Sequence, residues 1–206
     1  MIKNFNNLKE SGIRYGGHAG NKLGVVIDGE NWFLKFPKST KDLLRKVDIS
    51  YNTSPLSEYI GSHIYKSLGI PVHETMLGIK DEKLVVACKD FRKNQIDYRL
   101  DDYNSIKNDY VEGLEKKLES TSSSNPHAIN IDETIIIMNN NPLFNRVAGL
   151  KDRFWDMFIV DALIGNNDRN NGNWGVIVDN RTNETKIAPV FDNGASFNTK
   201  SSDENI

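Results

Sequence analysis

Three side chains in the last third of the 206-residue sequence are spaced so that they could do chemistry together: Asp168, Asn173 and Asp192. Two carboxylates and a carboxamide are what a site for a divalent metal and a phosphorylated nucleotide needs. They lie between Asp161 and Gly194, which runs Asp-Ala-Leu-Ile-Gly-Asn-Asn-Asp-Arg-Asn-Asn-Gly-Asn-Trp-Gly and closes on Pro-Val-Phe-Asp-Asn-Gly. Trp174 to Val178 and Lys186 to Val190 read as strands separated by the turn-rich Asp179 to Glu184. Paired as an antiparallel hairpin, they return Asp192 to the neighbourhood of Asn173. Asp192 would then hold a metal bridging nucleotide phosphates, and Asn173 would complete its shell. Asp168 would orient an attacking hydroxyl or accept its proton. Singly, each of the three is most often a turn former; their order along the chain sets them apart.

The elements that must position them are legible upstream. Leu150 to Ile164 carries two apolar stripes, Leu150/Phe154/Phe158 and Trp155/Ile159/Ala162/Leu163, which predict a central buried helix ended by Gly165. Tyr15-Gly16-Gly17-His18-Ala19-Gly20-Asn21-Lys22 is either an ordinary glycine-rich hairpin or a loop whose N–H groups approach an anion. It is not a Walker A loop, because no Gly-Lys-Ser/Thr follows. Asp28-Gly29 marks a tight hairpin. The strand after it, Asn31 to Phe36, places Trp32, Leu34 and Phe36 on one face and Phe33 with Lys35 on the other. Lys35 is either the snorkelling edge of a solvated face or a charge aimed at the phosphates that the loop would cover.

Ser54-Pro55 starts a helix whose apolar positions Leu56, Ile60, Ile64 and Leu68 recur every four residues, with Gly69 as its stop. Glu58 lies off that stripe, and is either a helix-dipole charge in solvent or the partner that orients Lys35. Thr75 to Lys80 and Lys83 to Lys89 read as strands, the second buried on both faces. Asn104 to Leu118 has helical periodicity, and Ile135 to Met138 fits either helix or strand. The first dozen residues and the polar stretch from Lys38 to Thr53 carry no pattern; 119–126 reads as a surface loop.

Composition narrows the classes. A hydrophobic share of 38%, a charged share of 26% and a net charge of -2 describe a globular chain with no electrostatic call on nucleic acid or an anionic membrane. One cysteine, Cys88, and four histidines make neither a disulfide nor a zinc pattern, so a reducing, cytoplasmic setting is expected. No apolar run approaches eighteen residues, and no membrane partner is expected.

The order glycine-rich loop, strand lysine, helix glutamate, buried helix, Asp-x₄-Asn, hairpin and Asp-x-Gly resembles the protein-kinase fold. More closely, the chain resembles the HipA-like serine/threonine kinases, and within them the CtkA-type bacterial kinases. The resemblance rests on Gly-Gly-His-Ala-Gly-Asn-Lys, Lys-Phe-Pro at 35 to 37, Ser-Glu-Tyr at 57 to 59 and Val-Val-Ala-Cys-Lys-Asp-Phe at 85 to 91. It continues through Phe-Trp-Asp-Met-Phe at 154 to 158, Gly-Asn-Asn-Asp-Arg-Asn-Asn-Gly-Asn-Trp-Gly at 165 to 175 and Ile-Ala-Pro-Val-Phe-Asp at 187 to 192.

It implies an α+β, bilobal fold: residues 1–90 as a small β-rich N-lobe and 91–206 as a mainly helical, partial C-lobe. It implies ATP and Mg2+ as cofactors, a protein substrate with a Ser or Thr hydroxyl, frequent autophosphorylation and a place among toxin–antitoxin kinases. By the same resemblance Gly16, Gly17, His18, Ala19, Gly20 and Lys22 cover the nucleotide, and Lys35, paired with Glu58, contacts its phosphates. Ala87, Cys88 and Asp90 line the adenine, Asp168 is the base, and Asn173 and Asp192 bind magnesium. Asp-Asn-Gly stands where protein kinases have Asp-Phe-Gly, and Asn166-Asn167 where they have His-Arg. Fourteen residues follow Asp192, whereas the family continues with a helical region, so a second chain completing the C-lobe is expected. Two other readings stay open from the motifs: a lipid kinase, through Asp-Arg-x-x-x-Asn, and a nucleotide-binding interaction module without turnover.

Overall fold

The computed structural model describes residues 2–16, 22–39, 52–115 and 129–197. The chain forms two compact units, the first from Met1–Asp90, Asp161–Asn167 and Asp192–Ile206, the second from Phe91–Val160 and Asp168–Phe191. Asp90 thus ends the first continuous block, but two later stretches, one carrying Asp192, group with that block and not with the residues around them.

In the first unit, β1 (Lys3–Asn4), β2 (Lys9–Glu10), β3 (Lys22–Ile27), β4 (Glu30–Lys35), β5 (Thr75–Lys80) and β6 (Lys83–Lys89) form one sheet in the order β1-β5-β6-β4-β3-β2. All pairs are antiparallel except β1 with β5. Asp28 and Gly29 have φ of 52 and 79°, and Asp81 and Glu82 have φ of 49 and 61°, the paired positive values that match a two-residue turn to the twist of its strands. One sheet face buries Val25, Trp32, Leu34, Val85 and Ala87 with Phe5, each worth roughly 1.5–3 kcal/mol for the larger side chains. The first dozen residues, patternless in sequence, supply β1, β2 and Phe5, whose ring fills the space that a side chain at Gly78 would take. Residues 40–51 of the polar connection lie outside the described residues.

Helix α1 (Ser54–Ser67) packs on β5 and β6. Thr53 occupies the N-cap position, without a side-chain cap, and Pro55 the first turn, one residue off the expected cap. The buried face corrects the sequence reading. Leu56, Ile60 and Leu68 are exposed, while Pro55, Ser57, Glu58, Gly61, Ser62 and Tyr65 are buried. Small residues let the helix approach closely, and the buried polar groups find partners: the Tyr65 hydroxyl donates to Asp161 Oδ1 at 2.9 Å, and Asn166 Nδ2 donates to the same oxygen at 3.0 Å.

In the second unit β7 (Tyr98–Asp102), β8 (Gly175–Asp179) and β9 (Thr185–Ile187) form an antiparallel sheet in that order. The hairpin forms where expected, but its second strand stops at Ile187, short of the expected Val190 and ahead of Pro189; β7, with only Leu100 as an aliphatic residue, had no periodic signal. Helix α2 (Tyr103–Glu115) follows β7. Ile135 to Met138 is helical, inside α3 (Ile131–Asn140), whose N-cap Asn130 accepts from Glu133 N. The short α4 (Pro142–Arg146) has Asn141 as its cap. Helix α5 (Leu150–Ile164) has the expected bounds but not the expected burial. Leu150, Phe154, Met157, Val160, Asp161 and Ile164 are buried, whereas Trp155, Phe158, Ile159 and Leu163 are exposed. Neither predicted stripe is therefore buried as a whole.

Candidate active site

Strand alternation puts Lys35 on the sheet face opposite the Trp32/Leu34 core, and α1 lies against that face with Glu58. Lys35 Nζ donates to Glu58 Oε2 at 2.6 Å and to Asp192 Oδ1 at 2.7 Å. Glu58, one residue beyond the first turn of α1 and so not the N-terminal dipole charge of the sequence reading, is wholly buried. Its other oxygen, Oε1, accepts from His73 Nε2 at 2.8 Å and from the backbone N–H of Asn193 at 3.0 Å. Of the two sequence readings of Glu58, the ion pair is the one the structure contains.

These contacts fix charge states. Burial alone would neutralise Glu58, but the Lys35 ammonium, with the hydrogen bond from His73, holds its carboxyl well below the usual carboxylate range. Burial likewise opposes the charge on Lys35, and the carboxylates of Asp192 and Glu58 outweigh it, raising the ammonium above an ordinary lysine. The Lys35 charge, against partial burial, keeps Asp192 ionised below its ordinary range. Burial, reinforced by Glu58, pushes the Cys88 thiol well up.

Asp192 itself has φ of 63°, a left-handed conformation that aspartate tolerates better than most residues. The Asp-Asn-Gly sequence explains how it is held. Asn193 is buried, donates from Nδ2 to Ser62 Oγ at 3.1 Å, and accepts from Ser196 Oγ at 2.9 Å. Gly61 and Gly194 leave room: a Cβ on Gly61 would come within 3.0 Å of Asn193 Cβ, and one on Gly194 within 3.2 Å of Glu58 Oε2. Sequence reasoning missed His73, Ser62 and Asn193. Only Asn193, inside the singled-out motif, carried a signal that could have found it.

Lys22 is the cross-strand neighbour of Lys35. It donates to the Gly16 carbonyl at 2.8 Å, and burial together with the Lys35 charge lowers its pKa. Two ammonium groups side by side on adjacent strands repel unless an anion joins them. Gly17, His18, Ala19 and Gly20 lie outside the described residues. Ala87 faces the core and Cys88 the Lys35 side of the sheet. Strand β6 is flanked by β4 and β5, so both residues use their backbone groups in ladders. Asp90 N–H donates to the Asn31 carbonyl at 2.9 Å.

In the second unit, Asp168 is exposed and begins the loop that ends at Asn173. Asn173 Nδ2 donates to the Asp168 carbonyl at 3.1 Å, which leaves Asn173 Oδ1 with no protein donor among the described residues. Arg169 Nη1 donates to the carbonyls of both Asn173 and Phe191, so one guanidinium ties the end of this loop to the end of the hairpin. Trp174 anchors the loop: its ring stacks on Tyr103 at 4.3 Å and packs on Phe154 at 5.1 Å.

Within the first unit, an ammonium held between two ionised carboxylates is a group that can contact a phosphorylated ligand; the second unit, by itself, carries a loop with a carboxylate and a carboxamide. No family model matches the sequence. The serine/threonine-protein kinase CtkA of Helicobacter pylori strain J99 is 40% identical over 189 residues, which is 92% of this chain and 54% of that protein. The crystal structure of the Helicobacter pylori proinflammatory kinase CtkA superposes with a TM-score of 0.81 at 34% identity, over 99% of this chain and 64% of that one. HipA, in its Shewanella oneidensis complex with HipB and operator DNA, has a TM-score of 0.52 at 14% identity over 90% of this chain and 46% of that one, a likeness of fold alone. The chain spans about half the length of the curated relative it matches. Over that span, the α+β fold and the sequence together place the chain with the CtkA-type kinases.

Proposed function

We propose that the chain is the nucleotide-binding and phosphoryl-transfer part of an ATP- and Mg2+-dependent serine/threonine protein kinase that also phosphorylates itself. The observation that carries the reading is Lys35 held between Glu58 and Asp192 at 2.6 and 2.7 Å. A lysine ammonium fixed by a buried carboxylate is a preorganised phosphate contact, and Lys22 beside it adds a second charge. The adenine contact would come from the chain as it leaves β6 at Asp90, past the ladder that occupies the backbone of Ala87 and Cys88 and the Asp90 N–H. Asp192, with 30% of its side chain open, and Asn173, through Oδ1, would hold magnesium. When bound, the metal would supply charge neutralisation for the phosphates.

Asp168 takes the proton of a Ser or Thr hydroxyl. The hydroxyl oxygen bonds to the γ-phosphorus as the bond to the bridging oxygen breaks, and ADP leaves with that electron pair. General-base assistance of this kind is worth about 10²–10⁴-fold. The exposed Trp155, Phe158, Ile159 and Leu163 on α5 support a further part of this reading, that another polypeptide segment covers that face in the active form. The lone, buried Cys88 suits a reducing, cytoplasmic setting, and no described helix is long and apolar enough to cross a membrane.

Calorimetry with ATP, with and without Mg2+, tests the binding half, and metal-independent or absent binding refutes it. Transfer from γ-labelled ATP to the chain or to a Ser/Thr substrate should vanish in Asp168→Ala while MgATP binding persists. Binding without transfer in the unaltered protein would favour the interaction-module reading.

A further inference from the structure

His73 lies on the connection between α1 and β5 and is buried, with 3% of its surface exposed. Its Nε2 meets Glu58 Oε1 at 2.8 Å, while its Nδ1 has no hydrogen-bond partner among the described residues. Because Glu58 is held ionised, Oε1 can only accept, so the proton of this bond sits on Nε2. A histidine kept for packing alone would not explain why a buried ring nitrogen goes unpaired while the other makes a charge-assisted bond. The polar role of this ring is directed at Glu58.

We propose that His73 is a positioning residue for the phosphate-contacting lysine: its Nε2–H holds Glu58 Oε1 so that Oε2 faces the Lys35 ammonium. Glu58 has three side-chain torsions to fix and two oxygens to place. Lys35 takes Oε2, and without His73 the remaining anchor on Oε1 among the described residues is the Asn193 N–H at 3.0 Å. Asn193 is the residue after Asp192, so it ties Glu58 to the aspartate. His73 is two residues before β5, which is joined through β6 to the strand bearing Lys35, so it ties Glu58 to the sheet. The two anchors are independent, and together they leave the carboxylate one orientation.

The same neighbourhood could be mistaken for a metal centre, since ligand atoms of Glu58, His73 and Cys88 lie within 4.8 Å of one another. The hydrogen bonds oppose a cation there: both Glu58 oxygens already accept, Oε2 from the Lys35 ammonium at 2.6 Å and Oε1 from His73 and the Asn193 N–H, so a cation would have to displace a positive charge already seated on the carboxylate.

The effect on nucleotide rests on the kinase reading; the effect on Lys35 does not. The test uses the full chain with His73→Gln, whose amide nitrogen can reach the Nε2 position, His73→Asn, which mimics only Nδ1, and His73→Leu. Without nucleotide, the Lys35 side-chain ammonium resonance, slowed in exchange by its ion pairs, should persist in the wild type and in His73→Gln and be lost in the other two. With nucleotide, KM for MgATP should rise about tenfold or more in His73→Leu and His73→Asn, out of proportion to any loss in Tm, and return to within about threefold of the wild type in His73→Gln. Identical Lys35 resonances and KM values in all three variants would overturn the proposal. So would losses that merely follow Tm, or stoichiometric zinc in the purified protein. If the wild type binds no MgATP the kinase reading fails, and the Lys35 resonance alone then decides the role of His73.

Discussion

Replacing Glu58 by Gln changes one buried charge and almost no volume, so its consequences can be worked from the contacts. Glu58 is wholly buried, and it accepts from Lys35, His73 and Asn193. Breaking a buried ion pair by neutralising one partner costs about 3–5 kcal/mol. Lys35 retains Asp192 at 2.7 Å, and a glutamine oxygen can still accept from His73 and Asn193, so the low end applies, about 3 kcal/mol. At about 2–4 °C per kcal/mol for a domain of this size, Tm should fall by about 6–12 °C at neutral pH.

The pH dependence carries a sign. The folded pKa of Glu58 is depressed, so its contribution is complete above the unfolded value of about 4.3 and is lost as pH falls from there toward the folded value. The wild type's advantage over Glu58→Gln should therefore be full at neutral pH and narrow in acid. Urea denaturation of both proteins across the acid range measures it. A difference under about 1 kcal/mol at neutral pH, the scale of a surface pair, or one that does not narrow in acid, would refute the reasoning.

The other predictions are narrower. Cys88, buried with a raised thiol pKa, should resist iodoacetamide in the native protein at mildly alkaline pH and react fully in urea; native labelling at the rate of a free thiol would contradict the described packing. Trp174→Ala removes the ring that joins Tyr103 and Phe154 and should cost about 3–5 kcal/mol in denaturant titration; a cost near zero would show that the ring does not anchor the loop. Arg169→Met leaves the carbonyls of Asn173 and Phe191 without the guanidinium they share. Its expected cost is about 2–3 kcal/mol, measured the same way, and no loss would mean that the loop and hairpin ends are held by other contacts.

Much of the fold follows from local rules, which is why it was legible from the sequence alone. The alternation that sets Lys35 opposite Trp32 and Leu34, the Asp28-Gly29 turn, the two strands from Thr75 to Lys89, the full extent of α5 and the hairpin after Trp174 each depend on residues a few positions apart. The spacing of Asp168, Asn173 and Asp192 was equally plain. The tertiary structure decided what periodicity cannot encode. On α1 the regular apolar stripe faces outward and the side bearing Ser57, Glu58, Gly61 and Ser62 is buried. On α5 the aromatic and aliphatic residues divide between a buried and an exposed face.

The physical reason is that burying a polar or charged face becomes favourable only when distant partners satisfy it, here Lys35, His73 and Asn193 for Glu58 and Ser62. Close approach is possible only where side chains are absent, as at Gly61 and Gly194. Those partners stand 15 to 135 positions from Glu58. The lysine and its glutamate were therefore recognisable as candidates from the sequence, while the network that holds them together existed only in the folded chain.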